Sequence, residues 1–125
     1  MPKNKLILSS LPKTWFIDLD GTILVHNGYK TGKDIILGVS KKFLASIPPE
    51  DKIVLITSRT EDLRGVTEDV LKEGGIRYDD ILFGMPMGER IIINDAKPSG
   101  LKTAHAVNTI RDKGIMLSVK INPEL

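Results

Sequence analysis

Four short apolar runs, Trp15-Phe16-Ile17, Ile53-Val54-Leu55-Ile56, Ile81-Leu82-Phe83 and Ile91-Ile92-Ile93, recur along this 125-residue chain, and each passes into polar or glycine residues. Because they are apolar on both faces, they read as strands covered on both sides, which is the pattern of a parallel sheet. Between them the apolar positions change period. Ile36, Ser40, Phe43, Leu44 and Ile47 follow helical spacing, with Asp34 as the cap. Leu63, Val66 and Val70 do the same before Gly74-Gly75, and Thr103, Ala106, Val107 and Ile110 repeat the pattern before Gly114.

Strand and helix therefore alternate, and the expected fold class is α/β. The form expected is a Rossmann-like, doubly wound, mainly parallel sheet with helices on both faces and right-handed crossovers, closed at one edge by a last strand near Ile115 to Ile121. A chain of this length holds one core, so residues 1–125 are expected to make a single domain. Lys and Arg number 18 against 16 Asp and Glu, a net charge of +2 without a long basic run, so nucleic acid is not an expected partner. Cysteine is absent, which excludes disulfides, thiolate catalysis and cysteine metal sites. Near the start the apolar run Leu6-Ile7-Leu8 is too short for a signal-peptide core or a bilayer span. A cytoplasmic location with no membrane partner is the expectation.

In doubly wound sheets ligands gather at the carboxyl ends of the strands, so the residues there carry the function. After the first run come Asp18 and Asp20, two carboxylates two residues apart, with Gly21 to turn the chain and Thr22 behind it. After the second comes Thr57-Ser58-Arg59, and after the fourth Asn94-Asp95-Ala96-Lys97. Carboxylates, hydroxyls and cations converging from three strand ends suit a hard cation together with a phosphoryl group. One carboxylate can attack phosphorus while its neighbour handles protons.

In that order, Asp18-Leu19-Asp20-Gly21-Thr22, Ile53-Val54-Leu55-Ile56-Thr57-Ser58-Arg59 and Ile91-Ile92-Ile93-Asn94-Asp95 resemble the first, second and acidic fourth motifs of the haloacid dehalogenase superfamily of phosphatases. The resemblance covers the whole chain. It implies a two-step phosphoryl transfer in which Asp18 forms an aspartyl-phosphate, and Asp20 protonates the leaving alcohol and then activates water. It also implies Mg²⁺ as cofactor, held by Asp18, the backbone carbonyl of Asp20 and Asp95. Thr57 would donate to a phosphoryl oxygen, helped by the backbone amide of Ser58. Ser58 has a competing reading as the cap of the next helix, since Ser58-Arg59-Thr60-Glu61 has the form of a capping box.

Three positions depart from the family pattern. Met85 stands in Gly84-Met85-Pro86 where some small members resemble this chain but carry a lysine, so the phosphate-grounding cation must come from elsewhere. Lys97 and Arg90 are the candidates, with Lys97 preferred because it follows Asp95 at the metal end of its strand, whereas Arg90 begins that strand. Asn94 replaces the first acid of a frequent Asp-Asp pair, removing one charge from the metal site. Of the remaining polar residues, Arg59 and Arg64 are candidates to reach a distal anion of the substrate, Arg64 reading equally as an exposed helix face. His26 lies in a short flap from Ile23 to Gly32, and His105 has no second histidine at ligand spacing. Trp15 and Phe16 read as core.

The segments between motifs leave no room for a cap domain, so the site is expected to be open unless a second copy of the chain covers it in a homo-oligomer. The form Asn94-Asp95-Ala96-Lys97-Pro98 also looks like that of small superfamily members associated with surface-polysaccharide biosynthesis, which points to a sugar phosphate as the small phosphorylated substrate. Two alternatives stand beside the phosphatase: a catalytically weak or inactive phosphate- or sugar-phosphate-binding protein, suggested by Met85 and Asn94, and a phosphotransferase. An open site excludes little water, which counts against the transferase.

Overall fold

Along residues 4–125, which the computed structural model describes, the regular elements are β1 (Asn4–Leu8), β2 (Thr14–Asp18), α1 (Gly38–Ser46), β3 (Lys52–Ile56), α2 (Arg64–Glu73), β4 (Asp80–Leu82) and β5 (Leu117–Ile121), with 3₁₀ turns at Gly28–Thr31 and Glu61–Leu63. The protein is α/β and its strands pair in parallel, as the apolar runs require. They form two sheets, one of order β2-β3-β4 and a second joining β1 to β5. Asp18 lies level with Ile56, and Ile56 with Leu82, so the carboxyl ends of β2, β3 and β4 share one edge.

β3 is central in its sheet and reads accordingly: Ile53, Val54 and Leu55 are all buried. Its neighbour β2 pairs with β3 on one side only, and its burial alternates, with Ile17 inside and Phe16 left 51% exposed. Phe16 is therefore not core, in contrast to Trp15. That residue packs against the core edge-on to Phe43 and donates its Nε1–H to Asp51 Oδ2 at 2.9 Å. Asp51 also accepts from the Lys13 amide at 3.0 Å, and Asp79 accepts from the Ile53 amide at 2.7 Å, so carboxylates tie down the amino ends of β2 and β3.

α1 buries Ser40 and Leu44 and stops at Pro48-Pro49, which cannot continue a helix. Its start has no side-chain cap, and Asp34 is engaged elsewhere. α2 buries Thr67 and Leu71 and ends in a Schellman motif: Gly75, at φ +68°, donates to Lys72 O, and Ile76 donates to Leu71 O. The capping box foreseen at Ser58 is not formed, because Glu61 begins a 3₁₀ turn that precedes the helix and Thr60 caps through no side-chain bond to the backbone. Leu19, Ile23, Leu24, Leu44, Ile53, Leu55 and Leu71 form the dry centre. Each contributes about 1.5–3 kcal/mol of burial before entropy is counted.

Two expected elements are absent. Ile91-Ile92-Ile93 is not a strand, and its side chains are 82%, 54% and 93% exposed. An apolar run becomes a strand only when a neighbour accepts its backbone groups, and no ladder reaches this segment among the described residues. Residues 103–110 are not helical either: Val107 touches the core while Ala106 and Ile110 stay exposed, and so short a helix without a buried face is marginal in water. The last strand forms over Leu117–Ile121, but it does not close an edge of the β2-β3-β4 sheet as expected: it pairs with β1, a strand the apolar runs did not mark, in a sheet of its own. No helix among the described residues is long and apolar enough to cross a membrane.

Candidate functional site

Directly beyond β2 the chain reverses on a single carbonyl. Leu19 O accepts from the amides of Thr22, Ile23 and Leu24 at 3.3, 2.9 and 3.0 Å, while Gly21, at φ +86°, donates to Leu24 O. A positive φ suits glycine. A Cβ on Gly21 would also meet Arg111 Cγ at 3.4 Å. Buried Leu19 anchors this turn, and Asp18 and Asp20, on either side of it, are left half-buried at the sheet edge. Ser40 braces the turn from α1: its hydroxyl donates to Thr22 O and accepts from the Ile115 amide at 2.9 Å.

Asp18 has a partner on each oxygen. Oδ2 accepts from the Thr22 hydroxyl at 3.0 Å and Oδ1 from Arg90 Nη1 at 2.8 Å, and its side chain remains 36% exposed. Asp20 is held more tightly. Arg59 Nη2 donates to its Oδ1 at 2.8 Å, Arg59 Nε reaches its Oδ2 at 3.1 Å, and the Thr57 hydroxyl lies 3.4 Å from the same Oδ2. Thr57 is itself buried and accepts from the Arg59 amide at 3.0 Å. The loop after β4 closes behind it, Met85 donating to Thr57 O and Gly84 to Arg59 O. Ser58 is half-buried at the same strand end.

Arg59 does not reach outward, which corrects its expected part as a distal anion contact. It is 3% exposed, and its guanidinium also donates to Asp34 Oδ1 at 2.7 Å, Asp34 Oδ2 at 3.1 Å and Thr67 Oγ1 at 2.9 Å, beneath the ring of Tyr29 at 4.5 Å. Burial alone would lower its proton affinity, but the hydrogen bonds to Asp34 and Asp20 and their charges outweigh it and push the pKa up. Arg64 lies on the helix surface, pairing with Glu61 at 2.8 Å and stacking on Phe83 at 4.4 Å.

Asp18, Asp20 and Thr57 thus lie at one sheet edge. Asp95 and Lys97 do not join them. Both are exposed on the irregular stretch after Arg90, where the Asp95 carbonyl accepts from the Thr103 hydroxyl, the Lys97 carbonyl from the Gly100 amide, and Asn94 donates to Thr103 O. Residues 91–93 pair with no strand among the described residues, so no ladder fixes Asp95 beside the end of β2. The cation that reaches Asp18 is Arg90, contrary to the preference for Lys97. His26 is tied to the Asp112 carboxylate through its backbone amide, and His105 is exposed.

As donors for Mg²⁺, these residues are incomplete. Among the described residues no three His, Asp or Glu side chains converge at metal-holding distance, and the Asp18 and Asp20 carboxylates are engaged by guanidinium groups. The arrangement therefore does not fit the cation as a bound group. The contacts of Arg59 and Asp34, 25 residues apart, carry no spacing signal; only the position of Arg59 beside the end of β3 hinted at a part in the site. Comparison with protein-family models, curated proteins and solved structures gives no match.

Proposed function

We propose that the protein is a phosphatase, a phosphomonoester hydrolase acting through an aspartyl-phosphate on Asp18. The observation that carries this reading is the state of Asp18: a half-exposed carboxylate at the carboxyl end of a parallel strand, with a hydroxyl on one oxygen and a guanidinium on the other. Support also comes from Asp20, two residues on, held within reach of the same edge. The Rossmann-like, doubly wound form of the α/β fold and the absence of a cap belong to the same reading.

In the first step an Asp18 oxygen bonds to phosphorus, the bond from phosphorus to the ester oxygen breaks, and Asp20 gives that oxygen its proton. In the second, water attacks phosphorus, Asp20 takes a proton from the water, and the bond to Asp18 breaks to release phosphate. Arg90, now paired with Asp18, is the cation that turns to the phosphoryl oxygens as charge builds on them. No step here passes through Mg²⁺. A small phosphorylated molecule, with sugar phosphates foremost, is the proposed substrate class.

A second reading, a phosphate-binding protein without turnover, is favoured by the position of Asp95 away from the carboxylate pair. The test is phosphate release from sugar phosphates, nucleotides and an aryl phosphate, with and without Mg²⁺, beside Asp18→Asn. Turnover that vanishes in Asp18→Asn is the expected result. Binding of inorganic phosphate with no turnover on any ester would establish the second reading instead.

A further inference from the structure

A side chain with five N–H groups, each spent on an acceptor inside the protein, has no donor left for a ligand. Arg59 is in that position. Its Nε and one Nη2 proton close a fork on the Asp20 carboxylate; its remaining protons go to both oxygens of Asp34 and to the Thr67 hydroxyl. The Asp34 side chain is 2% exposed and that of Asp20 is 17% exposed, so the network is anchored in the interior at Asp34 and opens to solvent at Asp20. Three parts of the chain meet on one guanidinium: the end of β3 through Arg59, α2 through Thr67, and the stretch between the Asp20 turn and α1 through Tyr29 and Asp34.

We propose that Arg59, clamped by Asp34 and Thr67, is the positioning residue that holds the Asp20 carboxyl group in the one orientation from which it passes a proton to the leaving oxygen and takes one back from the attacking water. This role rests on the phosphatase reading and gives Arg59, which touches neither phosphorus nor the ester oxygen, its function there. A planar fork sets both the place and the plane of a carboxylate, and a point-charge ammonium cannot do the same. An acid displaced by about 1 Å loses much of its catalytic effect.

The role has a signature that simple loss of stability lacks. Proton donation matters for an ester whose alcohol is a poor leaving group and little for a phenol that leaves readily as the anion. The quantity to read is kcat/KM, which reports formation of the phosphoenzyme, for an alkyl phosphate and for p-nitrophenyl phosphate, in the wild type, Asp20→Asn, Arg59→Lys and Thr67→Val, with folding checked by circular dichroism.

Arg59→Lys should lose about 10²-fold on the alkyl ester and much less on the aryl ester, the same pattern as Asp20→Asn. Should Arg59→Lys fail to fold, Thr67→Val removes a single acceptor and should show the same bias at about 3- to 10-fold. An equal loss on both esters in whichever variant folds would overturn the positioning role and leave the phosphatase intact. Failure of the wild type to cleave either ester would overturn the phosphatase reading and this role with it.

Discussion

At Asp18 a threonine hydroxyl and an arginine divide the two carboxylate oxygens between them, and that division decides which cation a phosphate would meet. Arg90→Ala is predicted to raise KM for p-nitrophenyl phosphate about 10-fold or more, the worth of one charge-assisted pair, whereas Lys97→Ala stays within about twofold. The opposite ranking in steady-state assays would return the role to Lys97. The places of Asp18 and Thr57 were legible in the sequence because each follows an apolar run directly, and that of Asp20 because it stands two residues beyond Asp18. Arg90 was a candidate cation ranked behind Lys97, and Arg59 was read as a distal anion contact, so the actual partner of each was not legible. The direction of a long side chain depends on acceptors far along the chain, Asp34 in one case and Asp18 in the other, and no local pattern encodes that pairing.

Elements were legible where they have neighbours. The runs at 15–17, 53–56 and 81–83 became or adjoin β2, β3 and β4 because each can pair in register, and the period-3.6 stretches at 36–47 and 63–70 gave α1 and α2, although α2 buries Thr67 and Leu71 and leaves Val66, from the expected face, half exposed. The run at 91–93 and the stretch at 103–110 carry equally good patterns but have neither a ladder nor a covered face, so pattern alone misleads. β1 was overlooked because it depends on β5, more than a hundred residues away. The turn into β5 gives a prediction at this scale. Gly114 sits at φ +83°, and a Cβ there would lie 2.9 Å from Val39 Cβ on α1. Gly114→Ala should cost about 1–3 kcal/mol, read as a lower urea midpoint at unchanged slope. An unchanged midpoint would mean that the α1 contact yields without cost.

Taken whole, the molecule holds its candidate site between parts that are distant in sequence. Ser40 links the Asp18–Thr22 turn to the entry of β5, and Arg59 links β3, α2 and the stretch before α1 that carries Asp34. Breaking a buried, fully paired network of the second kind by removing one partner costs about 3–5 kcal/mol, a sizeable share of the roughly 5–15 kcal/mol by which native proteins are stable. Such expenditure on polar contacts beside a carboxylate pair is what a site needs if its proton carrier must stay in place.

The measurement that reaches the centre of this reading is a search for the covalent intermediate. The protein is mixed with p-nitrophenyl phosphate, quenched in acid within the first turnovers, digested and analysed by mass spectrometry. Hydrolysis through Asp18 predicts one phosphoryl group on the peptide that carries Asp18, removed by hydroxylamine as an acyl phosphate would be, and absent from Asp18→Asn. Phosphate release by the wild type with the phosphoryl group on another residue, or with Asp18→Asn turning over at the wild-type rate, would contradict it.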